Sequence, residues 1–218
     1  MAREFTLVSF AVKEEAVPFR RLVLGRPDIS ILVTGMGRKN AAQAIRQTLA
    51  QQTPELMITA GFAGGLAKSL AANTVLFDSR NAPHLDPLLR TAGAIPGKFE
   101  CSNRVAATAA EKQQLYATSG ADAVEMESAE IATVAREAGI ACATVRVILD
   151  TADSDLPVDF NALLTADLRL SGTKMALAIL RSPSLIPKLI RFQKESGVAA
   201  EALAQVLFKV LSSTLQPR

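Results

Sequence analysis

Leu56-Met-Ile-Thr-Ala-Gly-Phe-Ala-Gly-Gly-Leu66 decides the fold class. Its first five residues form a short apolar run of strand length, and the glycine cluster behind it predicts a loop. Similar runs occupy residues 5–12, 29–34, 74–77 and 141–149, with a weaker one at 123–126. Continuous apolar runs suit a sheet covered on both faces. Between them lie segments of helical period. In residues 40–52, Ala41, Ala44, Ile45, Thr48 and Leu49 recur at helical spacing, with Asn40 as the expected cap and Pro54 beyond the end. Residues 109–119 and 128–138 read the same way, the second stopped by Gly139. The alternation predicts an α/β fold with a mixed, mostly parallel central sheet covered by helices. After Pro157 the pattern is purely helical, at 161–181, 184–194 and 198–211, so a helical layer from about residue 160 closes the chain. With 218 residues there is enough chain for one core, and residues 1–218 are expected to form a single domain.

Composition removes several function classes. Hydrophobic residues make up 49% and charged residues 21%, which excludes a disordered chain. The 24 basic and 21 acidic residues leave a net charge of +3 with no concentrated basic stripe, and there is no Trp and one Tyr. No nucleic-acid partner is expected from that footprint. Cys101 and Cys142 lack the spacing of zinc ligands, and no metal is expected. The chain start lacks a signal-peptide pattern, and no apolar run approaches the ~20 residues that span a bilayer. A cytoplasmic setting follows.

Two glycine clusters and three acidic clusters carry the chemistry. Gly35-Met-Gly37 resembles the start of a dinucleotide fingerprint, but Asn40 stands in place of its third glycine. It reads either as a tight turn or as backbone N–H groups facing an anion or a ribose. The cluster from Ala60 to Leu66 lacks the Lys-Ser/Thr ending of a phosphate loop and reads as a ligand-facing loop at a strand's carboxyl end. Glu125 and Glu127 bracket Met126 where a strand should give way to a helix. Alternation would put both carboxylates on one face, and both would equally suit a solvated helix N-terminus. Asp150 ends an apolar run, while Asp153 suits the turn that follows. Glu15 lies just beyond the first run. His84, the only histidine, sits in a polar stretch beside proline and reads as a surface residue, which leaves no Ser-His-Asp arrangement.

Taken in order, Gly35-Met-Gly-Arg-Lys-Asn-Ala-Ala42, Ala60-Gly-Phe-Ala-Gly-Gly-Leu66, Val124-Glu-Met-Glu-Ser128 and Leu149-Asp-Thr-Ala-Asp153 resemble the nucleoside phosphorylase superfamily, in its nucleosidase and purine phosphorylase branches. The resemblance implies cleavage of the N-glycosidic bond of a purine nucleoside, a 5′-substituted adenosine, without a cofactor. Phosphate would be co-substrate if the reaction is phosphorolytic, with Arg38, Arg80 and Arg104 as candidate ligands. It further implies that Asp150 donates a proton toward the purine N7, that Glu15 activates the attacking water, that Glu127 binds ribose hydroxyls and that Met126 packs against the sugar. Glu125, Phe62, Gly61 and Ala106 complete the expected substrate-binding set. The physical logic agrees: protonation helps a base that leaves poorly as an anion, and carboxylates stabilise the positive charge that develops on the sugar. A homo-oligomer, most simply a dimer, is expected.

A narrower likeness joins Val105-Ala-Ala-Thr-Ala-Ala-Glu-Lys112, Ala152-Asp-Ser-Asp-Leu-Pro157 and Arg181-Ser-Pro-Ser-Leu-Ile-Pro187 to the hopanoid-associated phosphorylases, a group associated with removing adenine from adenosylhopane. Phe62 and Leu149 stand where nucleosidases usually carry small hydroxyl residues, and they either make the pocket more apolar or pack the core. Residues 102–106 resemble a base-stacking loop but lack its aromatic. The different-class reading is a non-catalytic nucleoside-binding protein, against which the joint presence of Glu15, Glu127 and Asp150 argues. Residues 184–194 mix Leu185, Ile186, Leu189, Ile190 and Phe192 with Lys188, Arg191 and Lys194. They read as a helix packed on the domain or as a weak membrane-surface contact.

Overall fold

Eight strands and eight α-helices alternate along residues 4–213, the part of the chain that the structure, a computed structural model, describes. Residues 1–3 and 214–218 of the expected domain lie outside it. The strands are β1 Thr6–Phe10, β2 Ile29–Val33, β3 Leu56–Gly65, β4 Val75–Asn81, β5 Ile95–Pro96, β6 Phe99–Cys101, β7 Ala123–Glu125 and β8 Ala141–Asp150. The helices are α1 Lys13–Leu22, α2 Arg38–Leu49, α3 Asp86–Thr91, α4 Ala109–Ser119, α5 Ser128–Glu137, α6 Phe160–Leu163, α7 Gly172–Arg181 and α8 Leu185–Ser213.

One sheet organises them, in the order β2-β1-β3-β8-β4-β5, with β7 pairing β3 and β6 pairing β7. Only the β3–β7 and β4–β8 pairs are antiparallel. Two helical layers cover the faces. On one, α1 and the second half of α8 bury Phe19, Leu203 and Leu207 against Val8, Ile58 and Val145 of the sheet. On the other, Ile45 of α2 and Ile131 of α5 pack on Leu7 and Met57. Each such fully buried aliphatic side chain contributes about 1.5–3 kcal/mol. The mixed, mostly parallel, helix-covered sheet expected from the apolar runs is the architecture observed.

Four local expectations are corrected, and α1 is added as an element that the pattern did not predict. The glycines after Ala60 are not a loop, because β3 continues through them to Gly65, parallel to β8. Residues 13–22 form α1, although Pro18 inside it disguises the helical pattern. The expected helix 161–181 is two helices, parted by a turn in which Leu168 takes φ +56° and Ser171 caps α7 through the N–H of Lys174. The expected separation between 194 and 198 is absent, since α8 runs unbroken through Gly197. In addition Gly37, not Asn40, precedes α2, and Asn40 instead donates to the carbonyl of Met36 at 2.8 Å.

Candidate active site

The carboxyl ends of β1, β3, β7 and β8 open into a cleft of about 910 Å³. Glu15, Phe62, Ala106, Met126, Glu127 and Asp150 all line it, as does Glu125. The sequence spreads these residues over more than half the chain, and the sheet brings their strand ends together.

Glu15 owes its position to α1. As the third residue of the helix it reaches back to the unsatisfied backbone, accepting from the N–H groups of Ala11 at 2.9 Å and Val12 at 3.1 Å. Its other oxygen accepts from the Phe62 N–H of β3 at 2.8 Å. Burial raises its carboxyl above the usual range, against those N–H groups and the charge of Arg146. Gly61 explains why the strand can come so close: a Cβ there would lie 2.7 Å from a Glu15 oxygen. Gly61 therefore makes room for Glu15 and is not itself among the lining residues of the cleft.

At the end of β7 the two glutamates diverge. Glu125 accepts from the N–H groups of Glu127 at 3.0 Å and Ser128 at 2.8 Å, from the Ser128 hydroxyl at 2.7 Å, and from Arg146 at 2.7 Å. Burial would raise its carboxyl, but Arg146 and these donors hold it below the ordinary range. Glu127 has one backbone donor, the N–H of Gly37 at 2.8 Å, and lies 3.6 Å from Arg146. Burial pushes it up to about 7, with the charges of Glu125 and Glu15 adding to the shift and Arg146 opposing it. The Gly35–Gly37 turn thus offers its N–H to a carboxylate of the protein itself.

Asp150 terminates β8. An extra residue, Leu149, enters β8 where the register with β3 shifts between Ala63 and Gly64, and Asp150 comes to lie beside Gly64. Such bulges re-aim side chains next to sites. Asp150 pairs with the ammonium of Lys112, a fully buried residue of α4 that also donates to the carbonyls of Thr151 at 2.8 Å and Ser154 at 2.7 Å. Burial raises the Asp150 carboxyl, while Lys112 opposes the rise. Asp153 points elsewhere, into an exposed pair with Lys68 at 3.4 Å.

Sequence reasoning missed Arg146 and Lys112. Arg146 is buried in β8 and also donates to the Thr59 hydroxyl at 3.1 Å. A cation inside an apolar strand run was the available signal for it. Of the arginines considered for phosphate, only Arg104 lines the cleft, where it pairs with Glu111 at 2.8 Å. Arg80 is bound to Asp78, and Arg38 lies in a separate surface cleft with its guanidinium on the Cys101 carbonyl. Val105, in the segment compared with a base-stacking loop, is held by Asn161 of α6: the amide accepts from its N–H and donates to its carbonyl, both at 2.9 Å. His84 is exposed. Both cysteines are buried and free, and burial pushes each thiol up to about 12, which leaves them inert as nucleophiles. Among the described residues no cluster of three His, Cys, Asp or Glu is arranged to hold a metal ion, and no helix is long and apolar enough to cross a membrane.

Comparison with known proteins gives the same picture. The family model of the phosphorylase superfamily matches residues 94–181. The chain is 27% identical over 193 residues to a 5′-methylthioadenosine/S-adenosylhomocysteine nucleosidase of Glaesserella parasuis, covering 73% of this chain and 83% of that one. It is 25% identical over 183 residues to the nucleosidase of the same name from Listeria monocytogenes, covering 67% and 78%. Its fold matches the Helicobacter pylori nucleosidase solved with butyl-thio-DADMe-Immucillin-A at a TM-score of 0.72, with 16% identity over 96% of this chain and 98% of that one. The futalosine hydrolase of the same organism matches at 0.71, with 16% identity and the same coverage. The family model over residues 94–181 and the sequence relatives make this chain similar to the nucleoside phosphorylase superfamily, and the solved structures share its fold.

Proposed function

We propose that the protein hydrolyses the N-glycosidic bond of a 5′-substituted adenosine, releasing adenine. The observation that carries this reading is the placement of Glu15 and Asp150 against two glycines of one strand. Glu15 faces Gly61 and Asp150 faces Gly64. Three residues of extended chain span roughly 10 Å. That separation accommodates a purine beside Asp150, a ribose over Met126 and Glu127, and a water beside Glu15. A proton from Asp150 to the departing base would supply a factor of about 10²–10⁴, and its raised pKa suits an acid. Glu15, also raised, is a stronger base toward water than an ordinary glutamate. Glu127 grips the ribose, and negative charge beneath the sugar favours its oxocarbenium-like state. Glu125 supports this arrangement by fixing the backbone of Glu127 and Ser128.

Hydrolysis is favoured over phosphorolysis because Glu15 lines the cleft as a base for water, while of the three arginines considered for phosphate only Arg104 lines it, already paired with Glu111. The curated relatives carry the name nucleosidase, which agrees. The 5′ substituent is apolar in this reading. Phe62, Leu149, Phe160, Leu164, Leu170 and Phe192 line a cleft near the upper end of the ~300–1,000 Å³ range of small-molecule sites. A lipid-tailed nucleoside such as adenosylhopane fits that lining. The reaction so written uses no cofactor, and a cytoplasmic homodimer belongs to the same reading.

The deciding experiment incubates the protein with adenosine, a short 5′-alkylthio derivative and a long-chain derivative, with and without phosphate. Free adenine together with free ribose product, unchanged by phosphate, is expected, and the long-chain compound should have the lowest KM. Ribose 1-phosphate formation would replace hydrolysis by phosphorolysis. Saturable binding without adenine release would leave a nucleoside-binding protein in place of an enzyme.

A further inference from the structure

We infer that the arm formed by residues 165–198 docks on an anionic lipid surface. None of these 34 residues is buried, the longest such stretch among the described residues. The arm includes α7 and the first half of α8, yet α7 buries no residue and α8 begins to bury side chains only at Ala199. A helix with a strong apolar stripe ordinarily gains its stability by covering that stripe. Here Leu177 and Leu180 of α7 remain 45% and 78% exposed, and Ile186 and Ile190 of α8 remain 44% and 49% exposed. With Leu170 and Val198, the arm holds six of the ten large exposed hydrophobic residues. Spacing places Leu177 and Leu180 on one face of α7, and Ile186 and Ile190 on one face of α8.

Charge identifies what covers them. Arg169, Lys174, Arg181, Lys188, Arg191 and Lys194 face only two acids in the arm, Asp167 and Glu195, a net charge of +4. The whole chain carries +3, so the rest of the molecule is net negative by one. A symmetric contact between two copies would bring two such faces together against their own repulsion. An anionic bilayer offers what both kinds of side chain need: hydrocarbon for the leucines and isoleucines, and negative headgroups for the lysines and arginines of the same arm. The arm also continues the cleft, because Leu170 and Phe192 line it. A bound surface would therefore adjoin the entrance for an apolar substituent. Docking goes beyond the proposed catalysis and does not depend on it.

The test is co-sedimentation of the full chain, without nucleoside, with vesicles rich in phosphatidylglycerol and with vesicles of pure phosphatidylcholine. At low salt, partitioning onto the anionic vesicles should exceed that onto the neutral ones by at least about tenfold and should fall as salt is added. Replacing both Arg181→Gln and Lys194→Gln, which follow Leu177 and Ile190 by four residues, should lower it by about 30-fold. Replacing both Leu180→Ser and Ile190→Ser should lower it by at least about tenfold. Protein that stays in the supernatant with anionic vesicles at low salt overturns the inference, as does binding indifferent to both pairs of substitutions. Sedimentation velocity on the Leu180→Ser, Ile190→Ser variant adds a further check. If a dimer of the parent becomes a monomer, the face belongs to a second copy. Adenine release from a soluble adenosine derivative is followed in parallel, without vesicles. Release without docking sinks only the lipid surface, and docking without release sinks only the catalytic reading.

Discussion

Arg146 and Lys112 are both buried cations placed against carboxylates that line one cleft, and they leave their partners in different states. At the β7 end, Arg146 and three further donors hold Glu125 ionised, while Glu127, with one backbone donor, rises to about 7. At the β8 end, Lys112 shares its ammonium among Asp150 and two backbone carbonyls, and Asp150 stays above its usual range. A buried carboxylate is thus set less by the presence of a cation than by how many donors converge on it. The fully served acid, Glu125, becomes architecture. Glu127, with its single backbone donor, is pushed up to about 7, and burial holds Asp150 and Glu15 above the ordinary carboxylate range as well.

The comparison can be broken most severely at Arg146. Arg146→Met should cost about 3–5 kcal/mol, because it leaves Glu125 charged and buried without its partner. Urea unfolding at neutral pH measures the loss, and adding Glu125→Gln should restore part of it. A single-variant loss under about 1 kcal/mol would show that Arg146 does not hold the β7 end together.

At the other end, Asp150→Asn should keep nucleoside binding and lower turnover by about 10²-fold or more. The control is Asp153→Asn, whose exposed pair with Lys68 predicts a change within about twofold. Steady-state adenine release distinguishes the two, and equal effects would remove the special role of the Lys112-paired acid.

A smaller effect sharpens the difference between the two glutamates. The Glu127 carboxyl stands at about 7 in the folded protein against 4.5 ordinarily. Its contribution to stability is complete below 4.5 and is lost as pH rises toward about 7. Glu125, held low, contributes with the opposite sign, and its stability is lost as pH falls below the ordinary carboxylate range. In Glu127→Gln the decline of stability between those two pH values should flatten, by on the order of 1–3 kcal/mol. Urea midpoints across that range report it. A variant whose pH profile parallels the parent's would place the titrating group elsewhere.

The fold was legible where local pattern and tertiary role agree. The apolar runs at 29–34 and 141–149 became β2 and β8, and residues 109–119 became α4 with Thr108 capping it and Glu111 closing the box. Legibility failed where a residue type is used against its local preference. Pro18 hid α1, and glycines within β3 read as a loop because nothing local says that Glu15 needs the space a side chain would take. The acidic members of the cleft stood out as strand-end carboxylates. Arg146 and Lys112 did not, since a lone cation reads as solvated until a distant partner is seen; the Thr59 hydroxyl that Arg146 reaches is 87 residues away. Within the 184–194 pattern Leu185, Leu189 and Phe192 are half-buried, Phe192 against Phe160, while Ile186 and Ile190 are exposed, and full burial along α8 begins only at Ala199.

The grip of Asn161 on Val105 has a mechanical consequence. Asn161 sits in α6, at the root of the arm, and Phe160 beside it stacks on Phe192 of α8 with ring centroids 5.3 Å apart. The segment that walls the cleft beside Ala106 is therefore fastened to the arm as well as to the sheet. A movement of the arm that carried Phe160 along with Phe192 would pull on the two hydrogen bonds between Asn161 and Val105. The molecule has the layout of a lever, its long limb outside and its short limb inside the cleft, with the Asn161 amide as the coupling pin.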